Sequence, residues 1–320
     1  VKCSGSGSHS YTAHFLVGPT AVGKSAVAQW IAEREGFEIL SADSMLVYRG
    51  MDIGTAKPTV AERRKVHYWG VDLVPAGQPF NVALFLDEAH RCFESAQSSG
   101  AKLIVVGGTG LYLKALSEGL ADVPTADEGA RAQRRVTLET LGVEGLQQEL
   151  RTRNPDWLAS LSDPANSRRL IRALELIDAG WERPPETWSG TEGTPKMVGL
   201  TMPRELLRAR IAVRVETMYA QGLLDETSGL LAGGFNASPT ARHAVGYAEA
   251  AACLEGRMTR RAAVERTVQR TQQLAKRQMT WFRHQVAVRW VEVTPTEPVE
   301  AVAERVLAEW REMGATPVAL

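Results

Sequence analysis

The chain has 320 residues, 44% hydrophobic and 23% charged, which is enough to bury a full core and suggests roughly two domains. Its 37 Lys and Arg balance 37 Asp and Glu, so composition excludes a uniformly basic nucleic-acid binder, and any such surface must come from local clustering. No apolar run reaches the roughly 18 residues of a membrane helix, the Ser/Gly-rich start lacks an apolar signal core, and Cys3, Cys92 and Cys253 are too few and too far apart for a disulfide framework or zinc site; no membrane association and a reducing, cytoplasmic setting are expected.

Residues 1–12 read as a disordered lead. The apolar run His14-Phe15-Leu16-Val17 then reads as a strand, and Ala26-Val27-Ala28 opens a helix. Between them stands GPTAVGKS: Gly18, Pro19, Thr20, Ala21, Val22, Gly23, Lys24 and Ser25. This meets G-x-x-x-x-G-K-[ST] in its strand–loop–helix context. Successive backbone N–H groups and the helix N-terminus attract phosphate, Lys24 adds a full charge, and the Ser25 hydroxyl can ligate Mg²⁺. The pattern marks a nucleotide-binding type of loop, but it specifies polyphosphate and not ATP.

A second strand, 37–40, leads to Ser41-Ala42-Asp43-Ser44. A helix is expected over 82–98, a buried strand over 103–106 and a further helix over 111–116. Strand and helix alternating in this way make a parallel sheet with crossover helices. After strand 103–106 a nucleotide hydrolase would usually place an Asp. Here the turn is Gly107-Gly108-Thr109-Gly110. Because the C-terminal ends of adjacent parallel strands face one crevice, Asp43, Thr109 and the Gly-rich loop should share one site. By position alone Asp43 has three roles open to it: holding a metal through water, acting as a general base, or capping a turn.

From 121 to 196 strand signals vanish, and helical stretches 129–141, 145–153 and 167–179 are followed by a Pro- and Gly-rich exposed loop over 181–194. Strand 198–202 resumes the sheet. Pro203 starts a helix where a missing N–H costs nothing, helices continue to about residue 285, and strand 286–293 and helix 299–313 close the chain. The expectation is an α/β fold: a P-loop-type parallel sheet flanked by helices, built from 13–120 and 197–320, with an all-helical insertion at 121–196.

Between Arg257 and Arg283 stand eight basic residues (Arg257, Arg260, Arg261, Arg266, Arg270, Lys276, Arg277 and Arg283) and one acid, Glu265. A helical stretch so one-sided in charge suits phosphate contact. Arg168 and Arg172 share a helix face in the insertion, beside Arg169. Trp281 and Phe282 read as core more readily than as base-stacking platforms.

Further blocks carry a resemblance. Together with GPTAVGKS, the stretches SADSMLVYRGMDIGTAKP (41–58), VVGGTGLYLKAL (105–116), NSRRLIRALEL (166–176), RHAVGYAEA (242–250) and KRQMTWFR (276–283) resemble, in order, the tRNA dimethylallyltransferase (tRNA isopentenyltransferase) family, from Phe15 to about Val291. The resemblance implies transfer of a dimethylallyl group from dimethylallyl diphosphate to N6 of the adenine 3′ of the anticodon, in tRNAs reading U-first codons, with Mg²⁺ assisting and diphosphate leaving. It implies that Gly18–Ser25 and Arg214 hold the diphosphate and that Ser25 meets the metal. Asp43 would be the base, with Thr109 and Lys24 completing the catalytic set. It further implies contacts to the tRNA anticodon stem-loop, after flipping of the target base, from Asp43, Ser44, Met45, Leu46, Thr109, Arg168, Arg169, Arg172, Arg242, His243, Gly246, Tyr247, Lys276 and Arg277. A monomer is expected.

Three positions depart from the family pattern: Leu46 where Gln is common, Tyr68 where a His is usual, and Ser25 for the commoner Thr. Two rival readings share part of this sequence. A P-loop kinase would use the loop and Asp43 but leaves GMDIGTAKP and the basic helix unexplained. A non-catalytic RNA-binding protein would not need Gly18, Gly23, Lys24, Ser25 and Asp43 together.

Overall fold

Strands form where apolar runs are buried on both faces, as parallel sheets covered by helices require. The computed structural model describes residues 11–120, 128–185, 196–238 and 240–320. Most of the expected lead and most of the 181–194 loop lie outside the described residues. In chain order the strands are β1 (Thr12–Val17), β2 (Phe37–Ala42), β3 (Tyr48–Arg49), β4 (Tyr68–Trp69), β5 (Val74–Pro75), β6 (Lys102–Gly107), β7 (Met197–Thr201), β8 (Val288–Glu292) and β9 (Thr316–Pro317). The helices are α1 (Lys24–Glu35), α2 (Val60–Lys65), α3 (Val82–Ser99), α4 (Gly110–Glu118), α5 (Glu128–Arg153), α6 (Pro155–Ser160), α7 (Ser167–Asp178), α8 (Arg204–Ala220), α9 (Leu223–Ala232), α10 (Tyr247–Leu254), α11 (Arg260–Gln285) and α12 (Val299–Met313).

The main sheet runs β4-β2-β6-β1-β7-β8, all parallel, with β9 antiparallel on the start of β1; β3 and β5 pair separately. Register sets up the site. Gly107 lies opposite both Val17 and Ala42, so the loops after β1, β2 and β6 leave the sheet at one level. Phe15, Leu16, Ile39, Leu40, Ile104 and Val105 are fully buried beneath that level. Each such side chain contributes about 1.5–3 kcal/mol by burial, so the platform under the loops is rigid.

Local chemistry fixes the helix ends. Asn81 accepts from Leu84 N–H at the start of α3, which stops at the left-handed Gly100. Thr259 caps α11 through Ala262 N–H. The C-terminal end of α11 is held by the fully buried Lys114 of α4, whose ammonium donates to Gln285 O at 2.8 Å.

The turn 107–110 is Gly-rich for a steric reason. A Cβ on Gly108 would fall 2.3 Å from the Gln278 amide, and one on Gly110 would fall 2.3 Å from the Trp281 ring. The glycines that stand in place of a carboxylate therefore let α11 dock against the C-terminal end of the central strand β6. Trp281, partly buried, packs on that turn, and Phe282 beside it is fully buried.

The chain divides into two compact units, one containing the sheet and the other spanning residues 120–188. In the second, α5 breaks at Gly142, which joins the two helices expected over 129–141 and 145–153. Its core is Leu146, Leu150, Trp157, Leu170 and Leu174. Two expected boundaries shift. Thr12, expected in the lead, pairs with Pro317 in the sheet. Lys196, expected in the insertion, bonds Ala287 and Thr316 of the sheet unit through its own amide and carbonyl.

Candidate functional site

The loop after β1 closes on itself: Lys24 Nζ donates to Pro19 O at 2.8 Å. Above it lies a cavity of about 460 Å³, whose charged lining residues are Lys24, Asp43, Arg210 and Arg214. Three cations against one carboxylate make a site for a multiply charged anion. Ser25 opens onto the same cavity, and Ile39, Leu46, Ala56, Tyr68, Val106 and Val213 give it an apolar wall.

Each charged group has an identifiable origin. Asp43 leaves the end of β2, and its Oδ1 accepts from Met45 N–H at 2.8 Å, an Asx-turn that fixes the carboxylate. Oδ2 makes no hydrogen bond within the described residues. Thr109, opening α4, joins the β6 and β2 loops: its N–H donates to Ala42 O (3.2 Å), and its Oγ1 accepts from Ser44 N–H (3.0 Å). Arg210 and Arg214 lie one turn apart on α8 and so share a face. Arg214 Nη2 donates to Thr55 O at 3.3 Å.

The electrostatics follow from this crowding. Burial pushes the Lys24 ammonium down to about 8; Asp43 opposes that shift and Arg214 adds to it. Burial likewise lowers Arg214 from its ordinary value, again opposed by Asp43 and reinforced by Arg210. Cations held apart from solvent beside one another are poised to gain from an arriving anion.

The expected residues divide into two groups. Thr20, Ala21, Gly23, Lys24 and Ser25 of the loop meet Asp43 around one cavity as the strand register implies, and Arg214 joins them as the resemblance implies, with Leu46 on the wall and Thr109 braced behind Asp43; Gly18, Pro19 and Val22 of the loop do not line it. Ser44 and Met45 form the half-buried turn beside them. Arg242 and His243 are exposed, with Arg242 Nε donating to His243 Nε2 at 3.1 Å. Lys276 and Arg277 are exposed on α11. In the helical unit Arg168 and Arg169 are exposed, while Arg172 pairs with Glu175 at 3.1 Å.

Two expectations are corrected. Tyr247, expected at the RNA surface, is fully buried, with its hydroxyl donating to Glu226 at 2.6 Å; Gly246 beside it is buried too. Neither can touch RNA directly, because the protein has already desolvated and paired them. The basic run 257–283 is also not uniformly available. Arg270 bonds the buried Glu249 and His243 O, Arg260 bonds Tyr219 O, and Arg257 and Arg261 pair with Glu255 and Glu265. Within the described residues, Arg266, Lys276, Arg277 and Arg283 have no such partner. Lys276 and Arg283, with Arg204 and Arg208, line a larger cavity of about 710 Å³ between α8 and α11, which holds neither Lys24 nor Asp43.

Three residues escaped the sequence reading. Arg210 carries a signal, its i, i+4 spacing from Arg214. Gln278 lies in KRQMTWFR, yet nothing local announces that its amide spans two loops: Oε1 accepts from Thr20 N–H (2.8 Å) and Nε2 donates to Gly108 O (3.1 Å). Glu226 has no sequence signal at all. Its carboxylate accepts from the N–H groups of Asp52, Ile53 and Gly54 at 2.9–3.4 Å.

Comparison with known proteins places the chain in one family. Residues 46–285 match the family model "IPP transferase", and residues 11–69 match "Isopentenyl transferase". A tRNA dimethylallyltransferase of Pelotomaculum thermopropionicum is 40% identical over 298 residues, covering 91% of this chain and 94% of that protein. One from Geobacter metallireducens is 41% identical over 281 residues, 86% of this chain and 90% of that protein. The crystal structure of the full-length tRNA isopentenylpyrophosphate transferase of Bacillus halodurans superposes with a TM-score of 0.68 at 34% identity, covering 95% of this chain and 97% of that one.

Proposed function

The chain belongs to the IPP transferase family and transfers a dimethylallyl group to tRNA, and we propose that the donor is dimethylallyl diphosphate and the acceptor N6 of the adenine 3′ of the anticodon in tRNAs reading U-first codons. The observation that carries this reading is the single cavity on which Lys24, Arg210 and Arg214 face Asp43 over the Gly18–Ser25 loop.

The diphosphate occupies the cationic end, against the loop amides, Lys24, Arg210 and Arg214. As the allylic C–O bond breaks, charge grows on the departing diphosphate, where these preorganised donors hold it. The adenine N6 forms the new bond to the allylic carbon, and its proton passes to Asp43, whose Oδ2 is available. Thr109 holds the Asp43–Ser44 turn from behind. The apolar wall of Ile39, Leu46 and Val213 suits a five-carbon group and excludes water from the cation-like centre.

Ser25 and Asp43 give this cavity a hydroxyl and one carboxylate, hard oxygen donors suited to Mg²⁺ bound chiefly through substrate phosphates. Ser25 would hold it, and the bound ion would neutralise charge on the leaving diphosphate.

The tRNA anticodon stem-loop is contacted in this reading by Ser44, Met45 and Leu46 at the cavity mouth, by Arg242 and His243, by Lys276 and Arg277 on α11, and by Arg168, Arg169 and Arg172 of the helical unit. Exposed cations at Arg242, on α11 and in the helical unit support it. No helix among the described residues is long and apolar enough to cross a membrane. We take the enzyme to act as a cytoplasmic monomer.

The test is a transfer assay with purified protein, Mg²⁺, unmodified tRNA carrying that adenine, and labelled dimethylallyl diphosphate, with labelled ATP in a parallel arm. Label should enter tRNA from the isoprenoid donor alone, at that adenine. ATP turnover without prenyl transfer would overturn the reading.

A further inference from the structure

The loop of residues 52–57 walls the cavity through Thr55 and Ala56, and its Thr55 carbonyl receives Arg214 Nη2. Its backbone is unfavourable: Ala56 sits at φ +52, a left-handed conformation that a non-glycine residue keeps only when its surroundings impose it. Two groups impose it. At the far end the buried Lys57 donates to Tyr48 O (2.7 Å) and pairs with Asp52 and Asp72. At the near end three successive amides, those of Asp52, Ile53 and Gly54, converge on the Glu226 carboxylate from α9.

A carboxylate accepting several backbone N–H groups is a strong, directional anchor, since charge-assisted hydrogen bonds are about twice as strong as neutral ones. Glu226 is itself oriented by the Tyr247 hydroxyl at 2.6 Å, which also accepts from Gly54 N–H at 3.1 Å. The Tyr247 ring lies so close that a Cβ on Gly54 would fall 2.4 Å from it. The chain of contacts therefore runs from Tyr247 to Glu226, to the three amides, to Thr55 O and to Arg214.

We propose that Glu226 is the positioning residue of the diphosphate site: through the 52–56 backbone it fixes the Thr55 carbonyl that aims Arg214 into the cavity. This rests on the reading that the diphosphate binds there. Glu226 lines no part of the cavity itself, so its effect on the donor must pass through the loop.

The test combines kinetics with a readout of Arg214 in the free protein. Glu226→Gln keeps the shape and one acceptor oxygen but turns an amide donor toward the loop N–H groups. It should raise KM for dimethylallyl diphosphate roughly tenfold or more, the scale of a slightly misplaced binding group, with KM for tRNA unchanged. Combined with Arg214→Ala it should add little to the loss of Arg214→Ala alone, because both act through one guanidinium. Tyr247→Phe keeps the ring and the Glu226 carboxylate and loses only the hydroxyl's two hydrogen bonds, to Glu226 and from Gly54 N–H, so it should move the donor KM the same way by less and remain folded if Glu226→Gln does not.

The Nε–Hε resonance of Arg214, assigned by its disappearance in Arg214→Lys, should shift in Glu226→Gln without substrate. An unmoved resonance, or losses that simply add in the double variant, would overturn the proposal. A shifted resonance with an unchanged donor KM in both Glu226→Gln and Arg214→Ala would leave the positioning role standing and sink the diphosphate reading instead.

Discussion

Gln278, in the C-terminal third of the long helix α11, accepts a hydrogen bond from Thr20 N–H of the phosphate loop at 2.8 Å, while the same carboxamide donates to Gly108 O at 3.1 Å. One side chain thus ties together the loops after β1 and β6, and Lys114 and Trp281 hold its helix against α4. The helix expected to meet RNA also braces the Gly18–Ser25 loop.

Gln278→Leu keeps the bulk and removes both bonds. It should lower kcat/KM for the donor by about 10- to 100-fold, since small misplacements of a binding loop have effects of that order. Steady-state kinetics with tRNA saturating would show it. An unchanged donor kcat/KM would mean the loop keeps its shape without the strap.

Asp43→Asn preserves the Asx-turn to Met45 N–H but removes the proton acceptor. It should reduce kcat by roughly 10²- to 10⁴-fold, the usual range for a lost general base, with tRNA affinity kept. Single-turnover rates beside filter binding separate the two. Wild-type turnover in this variant would remove Asp43 from proton transfer.

Lys24 should give donor binding a pH limb. With its ammonium at about 8 in the free protein, it is charged below that pH and loses charge above it. Affinity for inorganic diphosphate, read by calorimetry, should therefore fall as pH rises through 8. Lys24→Met should flatten the limb. Asp43→Asn should move it to lower pH, because Asp43 is the group that raises this ammonium. Stability has the opposite sense: a lysine held below its unfolded pKa of about 10.4 destabilises the fold while protonated, so Lys24→Met should melt at a higher temperature near pH 7.

The basic helix should divide into two classes. Arg277→Ala, on the exposed face, should weaken tRNA binding and reduce the slope of log K against log salt by about 1. Arg270→Ala strands the buried carboxylate of Glu249, and should cost about 3–5 kcal/mol in denaturant unfolding. If the two variants behaved alike in both assays, the division would fail.

What could be read from sequence followed from local rules. The GPTAVGKS loop, the strand after it and the alternation of apolar strand with helix obey short-range periodicity and turn chemistry. The parallel sheet, the helical insertion and the meeting of Lys24 and Asp43 were legible for that reason, whereas Arg214 was reached only through the family resemblance. Tyr247 and Arg270 were not. Their residue types suit an RNA surface, but their surroundings come from α9, α10 and α11 packing together, and burial is a property of that packing. Gln278 and Glu226 act across 258 and at least 172 residues of chain. A glutamine on a charged helix and a glutamate on a short one look ordinary in any local window. The phosphate loop and the alternation of strand with helix depend on neighbours along the chain, and so they could be read there. Which polar side chains brace that loop, and which stay exposed, is set by the fold in space, because a hydrogen bond is assigned by what stands opposite it.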